Sequence, residues 1–295
     1  MNYGDSAYPQ QPGYPGGPPQ PGYPGAPPQY PGPGGPPPPN AGFNVGGLFG
    51  GGPPPAAAPY GGAETGEDLS GMGAFSSKAV RLGFIRKVYS ILSVQLIITF
   101  GFILIFVLND GSKMWAAQNR GLLFLAFGVG IVSMLTLACC GSVRRKFPHN
   151  FICLGIFTLA QSFMLGFVTA FYKTQIVMLA VVMTAVVCIG LTIFAFQTKI
   201  DFTVFTGVAF VGLMILMVMG FILMFFKIPF LQTLYAAFGA LLFSVYLIID
   251  TQMIVGGNHK NQISPEEYIF GAITLYTDII NIFMFLLQLL GSSND

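Results

Sequence analysis

Apolar residues run along this chain in seven blocks, each about 20 residues long and so of membrane-crossing length. They cover Val88–Leu108, Gly121–Gly141, Phe151–Phe171, Ile176–Phe196, Phe202–Phe226, Phe230–Val255 and Tyr268–Leu290. The polar stretches between them are short, down to Lys227-Ile228-Pro229, so successive helices must run antiparallel and no soluble domain fits between them. Residues 1–77 are a different material. Nineteen of the 22 prolines lie before residue 60, and Tyr-Pro recurs at Tyr8, Tyr14, Tyr23 and Tyr30 without helical or strand period. Such a tract buries too little apolar surface to offset its ordering entropy, which predicts a disordered arm of polyproline II character. The pattern therefore divides the chain into an arm, 1–77, and an all-α transmembrane domain, 78–295.

Composition sharpens the class. The 295 residues are 53% hydrophobic and only 8% charged, with a mean hydropathy of +0.68; soluble domains carry roughly a quarter charged residues. A net charge of +2 without a basic patch gives no footing for nucleic acid. Nine basic residues (Lys78, Arg81, Arg86, Lys87, Arg144, Arg145, Lys146, Lys199, Lys260) fall on the side of the arm, against Lys113, Arg120, Lys173 and Lys227 opposite. That asymmetry predicts a cytosolic N-terminus. The first 30 residues hold no apolar signal core, so the first membrane helix is expected to direct insertion. Seven spans put the C-terminus on the far side; a re-entrant hairpin in the last block would return it to the cytosol.

Two acids sit inside the apolar blocks, Asp250 in VYLIIDTQMIV and Asp278 in TLYTDIINIFMFLL. An ionised carboxylate at mid-membrane costs about 2.5–3.5 kcal/mol on insertion scales, and intramembrane acids mark ion or proton pathways. Like charges on adjacent helices cannot both ionise cheaply, so such a pair titrates as a unit. This makes a lock, protonated and hydrogen-bonded when shut, ionised and apart when open. It also offers oxygen ligands to a hard cation such as calcium. The bland alternative is that each acid is neutral or satisfied locally. Asp250 lies six residues before Gly256, about 9 Å, and Asp278 lies 14 after Ser264, about 21 Å, at about 1.5 Å per residue. Contact thus requires the last helix to begin well outside the membrane, or one helix to tilt or kink.

Other polar positions read more simply. Gln95, Gln161, Ser162, Thr184, Asn281 and Gln288 suit hydrogen bonds between helices. Tyr246 and Tyr276 flank the acids and are placed to donate to them. Ser264, Pro265 and Glu267 spell a capped helix start, and Gly256-Gly257 a helix stop. His149 and His259 are expected in solvent. Cys139, Cys140, Cys153 and Cys188 have no metal-ligand spacing and read as packing residues, with lipidation of Cys139 or Cys140 as the alternative. Pro27-Pro28-Gln29-Tyr30 fits the Pro-Pro-x-Tyr form that WW domains take up, or is low-complexity spacing. No hydrolase or nucleotide-binding motif is present. The two acids lack the Gly-x-Gly-Asp turn and the Pro-Ala-Leu element of an intramembrane aspartyl protease, so the chain does not read as an enzyme.

The C-terminal run, Asp250-Thr251-Gln252, then Ser264-Pro265-Glu266-Glu267-Tyr268, then Leu275-Tyr276-Thr277-Asp278-Ile279-Ile280-Asn281, resembles the transmembrane Bax inhibitor motif family. With the Pro/Gly/Tyr-rich arm, it is similar to the lifeguard branch and its glutamate-receptor-associated members. The resemblance covers residues 78–295. It implies seven helices with the last one central, and a calcium leak across endomembranes (Golgi or endoplasmic reticulum) gated by protons on Asp250 and Asp278. It also implies suppression of cell death, calcium as permeant ion and no cofactor. The family's arginine latch onto the sixth-helix aspartate falls to Arg144, or to Arg145; an acid that some members carry inside the second helix has no counterpart here. The rival reading is a non-conducting scaffold that engages cell-death regulators or receptors through its arm.

Overall fold

Helices form where the apolar blocks predict them, and local chemistry sets their ends. The computed structural model describes residues 69–226, 228–257 and 259–292. The tract 1–68, with Pro27, Pro28 and Tyr30, lies outside the described residues. The helices are α1 (Leu69–Leu108), α2 (Asp110–Gln118), α3 (Gly121–Cys139), α4 (Gly141–Arg145), α5 (His149–Thr169), α6 (Thr174–Gln197), α7 (Thr206–Phe225), α8 (Pro229–Val255) and α9 (Tyr268–Ser292). Short 3-10 turns precede α7 (Phe202–Phe205) and α9 (Pro265–Glu267). Pro229 opens α8, where its missing N–H is no loss. Gly256, at φ +66°, closes it, its N–H bonded to the Gln252 carbonyl.

Seven of these helices are long and apolar enough to cross a membrane, and among the described residues no strand occurs. The last span runs without a break from Pro265 to Ser292, one continuous helical segment without the bend of a re-entrant hairpin. The first helix begins at Leu69, well before the apolar block starts at Val88. Its added turns carry Arg81 and the buried Phe84. The second block ends at Cys139, where the helix breaks and α4 starts afresh at Gly141. Helix α2 has no counterpart in the hydropathy pattern. The Asn109 side chain accepts from the Gly111 N–H to start it, and Trp115 docks edge-on against Phe163.

Helices α8 and α9 make the most intimate pair, and theirs are the most buried spans. Helix α9 also packs against α1, α6 and α5, so it is the centre of the bundle, while α3 leans on α5 and α7 on α8. Outward faces are apolar, as at Phe124 (76% exposed) and Met224 (73%), as contact with lipid requires. Helix association inside a bilayer draws little from the hydrophobic effect and relies on close packing. Glycines provide it: a Cβ on Gly239 would stand 2.6 Å from the Phe285 ring, and one on Gly166 would stand 3.0 Å from the Phe102 carbonyl oxygen.

The glycine contacts fix the register of the central pair. Gly271 packs on Ile254 and Gly239 on Phe285, so each step back along α8 is matched by one step forward along α9. Asp250 therefore falls opposite Thr274, with Asp278 one turn on. The first turns of the last span consequently lie beyond the end of α8, which is how a helix whose acid sits so far from its start brings that acid level with Asp250. Gly239→Val should overpack this contact and cost about 1–3 kcal/mol, read as a lower thermal midpoint in detergent. Phe285→Ala in the same chain should recover part of the loss; no change in midpoint for Gly239→Val would contradict the close approach.

Candidate functional site

Asp250 and Asp278 are 7% and 4% exposed. Their carboxyls lie side by side across the α8–α9 seam, while the nearby Thr274 hydroxyl donates to the Gly271 carbonyl of its own helix at 3.2 Å. A hydrogen bond between two carboxyls needs a proton on one of them. Both acids line a cavity of about 160 Å³ that Tyr246, Thr277, Phe210 and Met134 help enclose. Asp278 Oδ2 and the Thr277 hydroxyl are buried without a hydrogen-bond partner among the described residues. The site is thus a small chamber with two acids, three threonines (Thr206, Thr274 and Thr277) and a tyrosine set in apolar walls between α3, α7, α8 and α9.

The second tyrosine goes elsewhere. Tyr276 turns to the opposite flank of α9, where its hydroxyl meets Thr99 Oγ1 at 2.8 Å and Thr99 meets Ser162 at 2.9 Å. Gln95 Nε2 donates to Thr158 Oγ1 at 2.9 Å beside them. Tyr276 is therefore part of a buried hydroxyl cluster tying α1, α5 and α9, and not a donor to a carboxylate. Gln95 and Ser162 do bridge helices, whereas Thr184 and Asn281 bond to carbonyls of their own helices.

Over the chamber, on the side where α1 begins, the loops are tied down by polar side chains. Glu267, only 3% exposed, accepts from Arg144 Nη2 at 2.7 Å and Arg145 Nη2 at 2.6 Å through the same oxygen. The Arg144 guanidinium also stacks 4.9 Å over the Phe270 ring. The hydrogen bond to Glu267, reinforced by its charge, holds Arg145 above its ordinary value. Both arginines of the expected latch thus end on the first turn of the last span and not on Asp250. The break at Cys140 puts them on α4, outside the level of the aspartates. Glu267 makes no capping box, and the Ser264 side chain makes no cap.

Arg81 of α1 does a related task. It donates to the carbonyls of Val255 (3.0 Å) and Ile263 (2.6 Å) and to Gln262 Oε1 (2.9 Å), so one guanidinium closes the end of α8 and the start of the next span. The turn at Gly256 must be bare there, because a Cβ would collide with the guanidinium. Gln252 holds the α6–α7 loop from within, donating to the Ile200 carbonyl at 2.9 Å and accepting from the Phe202 N–H at 2.8 Å. Asp201 then links the two loops, accepting from the Lys260 N–H at 2.8 Å and facing His259 Nδ1 at 3.3 Å. His259 is thus half-buried against an acid, not free in solvent, while His149 is exposed. Of the cysteines, only Cys188 is buried; Cys139 and Cys140 are exposed.

These features define a polytopic α-helical membrane protein with a buried acid pair between its two central helices. Residues 81–295 match the family model described as "Inhibitor of apoptosis-promoting Bax1". The chain is 46% identical to protein lifeguard 3 of Homo sapiens over 231 residues, 77% of this chain and 74% of that one. It is 37% identical to protein lifeguard 4 of Mus musculus over 223 residues, 75% of this chain and 90% of that one. The chain belongs to the Bax inhibitor motif family.

Arg81, Gln252, Asp201 and Glu267 were not singled out by sequence reasoning as parts of one assembly. A signal existed: Asp201 and Glu267 are acids in loops on the side rich in lysine and arginine. Glu267→Gln should destabilise the protein toward the lower end of about 3–5 kcal/mol, because Arg145 is partly in water. Arg144→Met in that background should cost less than in wild type, a coupling readable by a double-mutant cycle; strict additivity would deny the triad.

Asp201 gives a pH test. Burial pushes its carboxyl up, but hydrogen bonds from Thr203 and the Lys260 amide, with the nearby His259, outweigh this and hold it below the ordinary value. Its stabilising contribution is therefore complete above the unfolded Asp value of about 3.9 and fades as pH falls through that range. Wild type should lose thermal stability on acidification more steeply than Asp201→Asn, which should be weaker at neutral pH and flatter below it. Parallel curves would refute the link that Asp201 makes between the two loops.

Proposed function

We propose that the chain is a pH-sensitive calcium leak channel of endomembranes, gated by the Asp250–Asp278 pair, and that the leak lowers store calcium and suppresses apoptosis. The observation that carries this reading is the side-by-side burial of the two acids on the two most buried helices, facing a chamber with hydroxyl oxygens. Buried acids are otherwise costly in a bilayer and mark ion paths. The description of the family supports the cell-death part of the reading, and the oxygen-only donor set supports a hard cation as cargo.

In the shut state one proton lies between the carboxyls and α8 stays against α9. Raising the pH removes that proton, and two carboxylates in a low-dielectric chamber repel. The repulsion drives the helices apart at the level of Asp250, and the freed oxygens can then take a passing calcium ion. Two carboxylates without a third acid suit brief occupancy more than storage; among the described residues no cluster of three acid, His or Cys ligands occurs. The arm and the basic loops face the cytosol in this reading, in the Golgi or endoplasmic reticulum membrane. Conduction is passive and uses no bond-making step.

Purified protein in calcium-free liposomes should show calcium entry that rises from about pH 6 to about pH 8, the direction in which a shared proton is lost. Asp278→Asn and Asp250→Asn should remove that pH response. Absence of flux at both pH values from correctly inserted protein would overturn the channel, and an unaltered pH response in both variants would overturn the gate.

A further inference from the structure

Away from the aspartate chamber, α1 and α6 meet only sparsely. Between them lies a groove of about 500 Å³ whose floor is α9. Its base is buried side chains, among them Leu92, Cys188, Ile280 and Phe283, while Ile189 (61% exposed) and Ile193 (50%) stand at an open mouth. The walls are mostly apolar; hydroxyls of Tyr89, Ser93 and Thr192 lie toward the end where α1 begins, and those of Thr99 and Thr184 lie farther along, each bonded to a carbonyl of its own helix. Because both walls are membrane-spanning helices, the mouth opens onto hydrocarbon and not onto water. On α1 the lining runs through Tyr89, Ser93, Leu96 and Phe100, and the same stripe, extended one turn outward, reaches the exposed Arg86. An apolar slot with hydroxyls and then a cation at one end is graded as a phospholipid is graded, from chain to ester to phosphate.

We propose that this groove is a binding site for one acyl chain of an anionic glycerophospholipid, with its phosphate held at Arg86 and its chain lying against Ile280 and Phe283 of α9. The site is distinct from the acid pair and does not depend on whether the protein conducts. Its occupant nonetheless touches the helix that carries Asp278, two residues before Ile280. A lipid chain seated there takes the place of the helix–helix contact that α1 and α6 lack.

The test is photolabelling of the full-length protein in vesicles containing an anionic phospholipid with a diazirine in one acyl chain, with labelled residues mapped by mass spectrometry. Ile280 and Phe283 are 7% and 4% exposed, so bulk lipid at the protein surface should not label them, whereas Val186 (66% exposed) should be labelled regardless. Labelling of Ile280 or Phe283 is the expected result. Ala185→Trp, which fills the mouth, should reduce that labelling while sparing Val186, and excess unlabelled anionic lipid should do the same in wild type, which covers the case of a variant that folds poorly. Arg86→Gln should lower the α9 labelling about fivefold. Labels confined to outward residues, or α9 labelling indifferent to both Ala185→Trp and competing lipid, would overturn the site. Equal labelling by a zwitterionic probe, unchanged in Arg86→Gln, would overturn the anionic head group.

Discussion

The contact on which this fold turns is the one between α8 and α9, two antiparallel helices that bring a carboxyl from each into the same small chamber. Two carboxylates so placed repel each other unless a proton or a cation lies between them. The packing around the pair holds the two helices together. Glycines at 239 and 271 let the backbones approach and fix the register. The register then carries Asp278 to Asp250, although the two lie at different distances from their connecting loop. A change at this one contact thus bears on the two most buried helices of the bundle.

Polar side chains close the same site from above, and they do so at backbone atoms more than at one another. Arg81 ends on two carbonyls, Gln252 on a carbonyl and an N–H, and Asp201 on the Lys260 N–H. Such bonds hold loops in place without long side chains having to find each other, and they satisfy groups left over where helices stop. Glu267 works through side chains instead, a buried acid with two arginines on one oxygen. It fastens the first turn of the last span to α4 and so to the third helix. Opening of the chamber toward this side requires these fastenings to yield or to move as a unit with α9.

Much of this was legible in the sequence. The seven spans were visible because lipid demands apolar blocks of one length, and Asp250 and Asp278 stood out because charge is so rare within them. The register was not visible, since it depends on where the last span begins relative to the end of α8, and hydropathy does not measure that offset. Glu267 was hidden by its neighbours: Ser-Pro-Glu-Glu reads as a helix start, and the 3-10 turn there uses the proline but not the cap. Helix α2 was hidden because its pattern is weak and its anchor, Trp115, works through rings from other helices. The resemblance to the family pointed to an arginine at the end of the second span, but only the break at Cys140 explains why it serves Glu267.

The most direct test of the shared proton is infrared difference spectroscopy of the protein in lipid as pH is raised. A shared proton gives one protonated-carboxyl absorption that vanishes on raising the pH, is lost in Asp250→Asn and in Asp278→Asn, and is not replaced in either variant by an unshifted band from the remaining acid. Two independent carboxyl signals, each surviving unchanged when the other acid is removed, would contradict it.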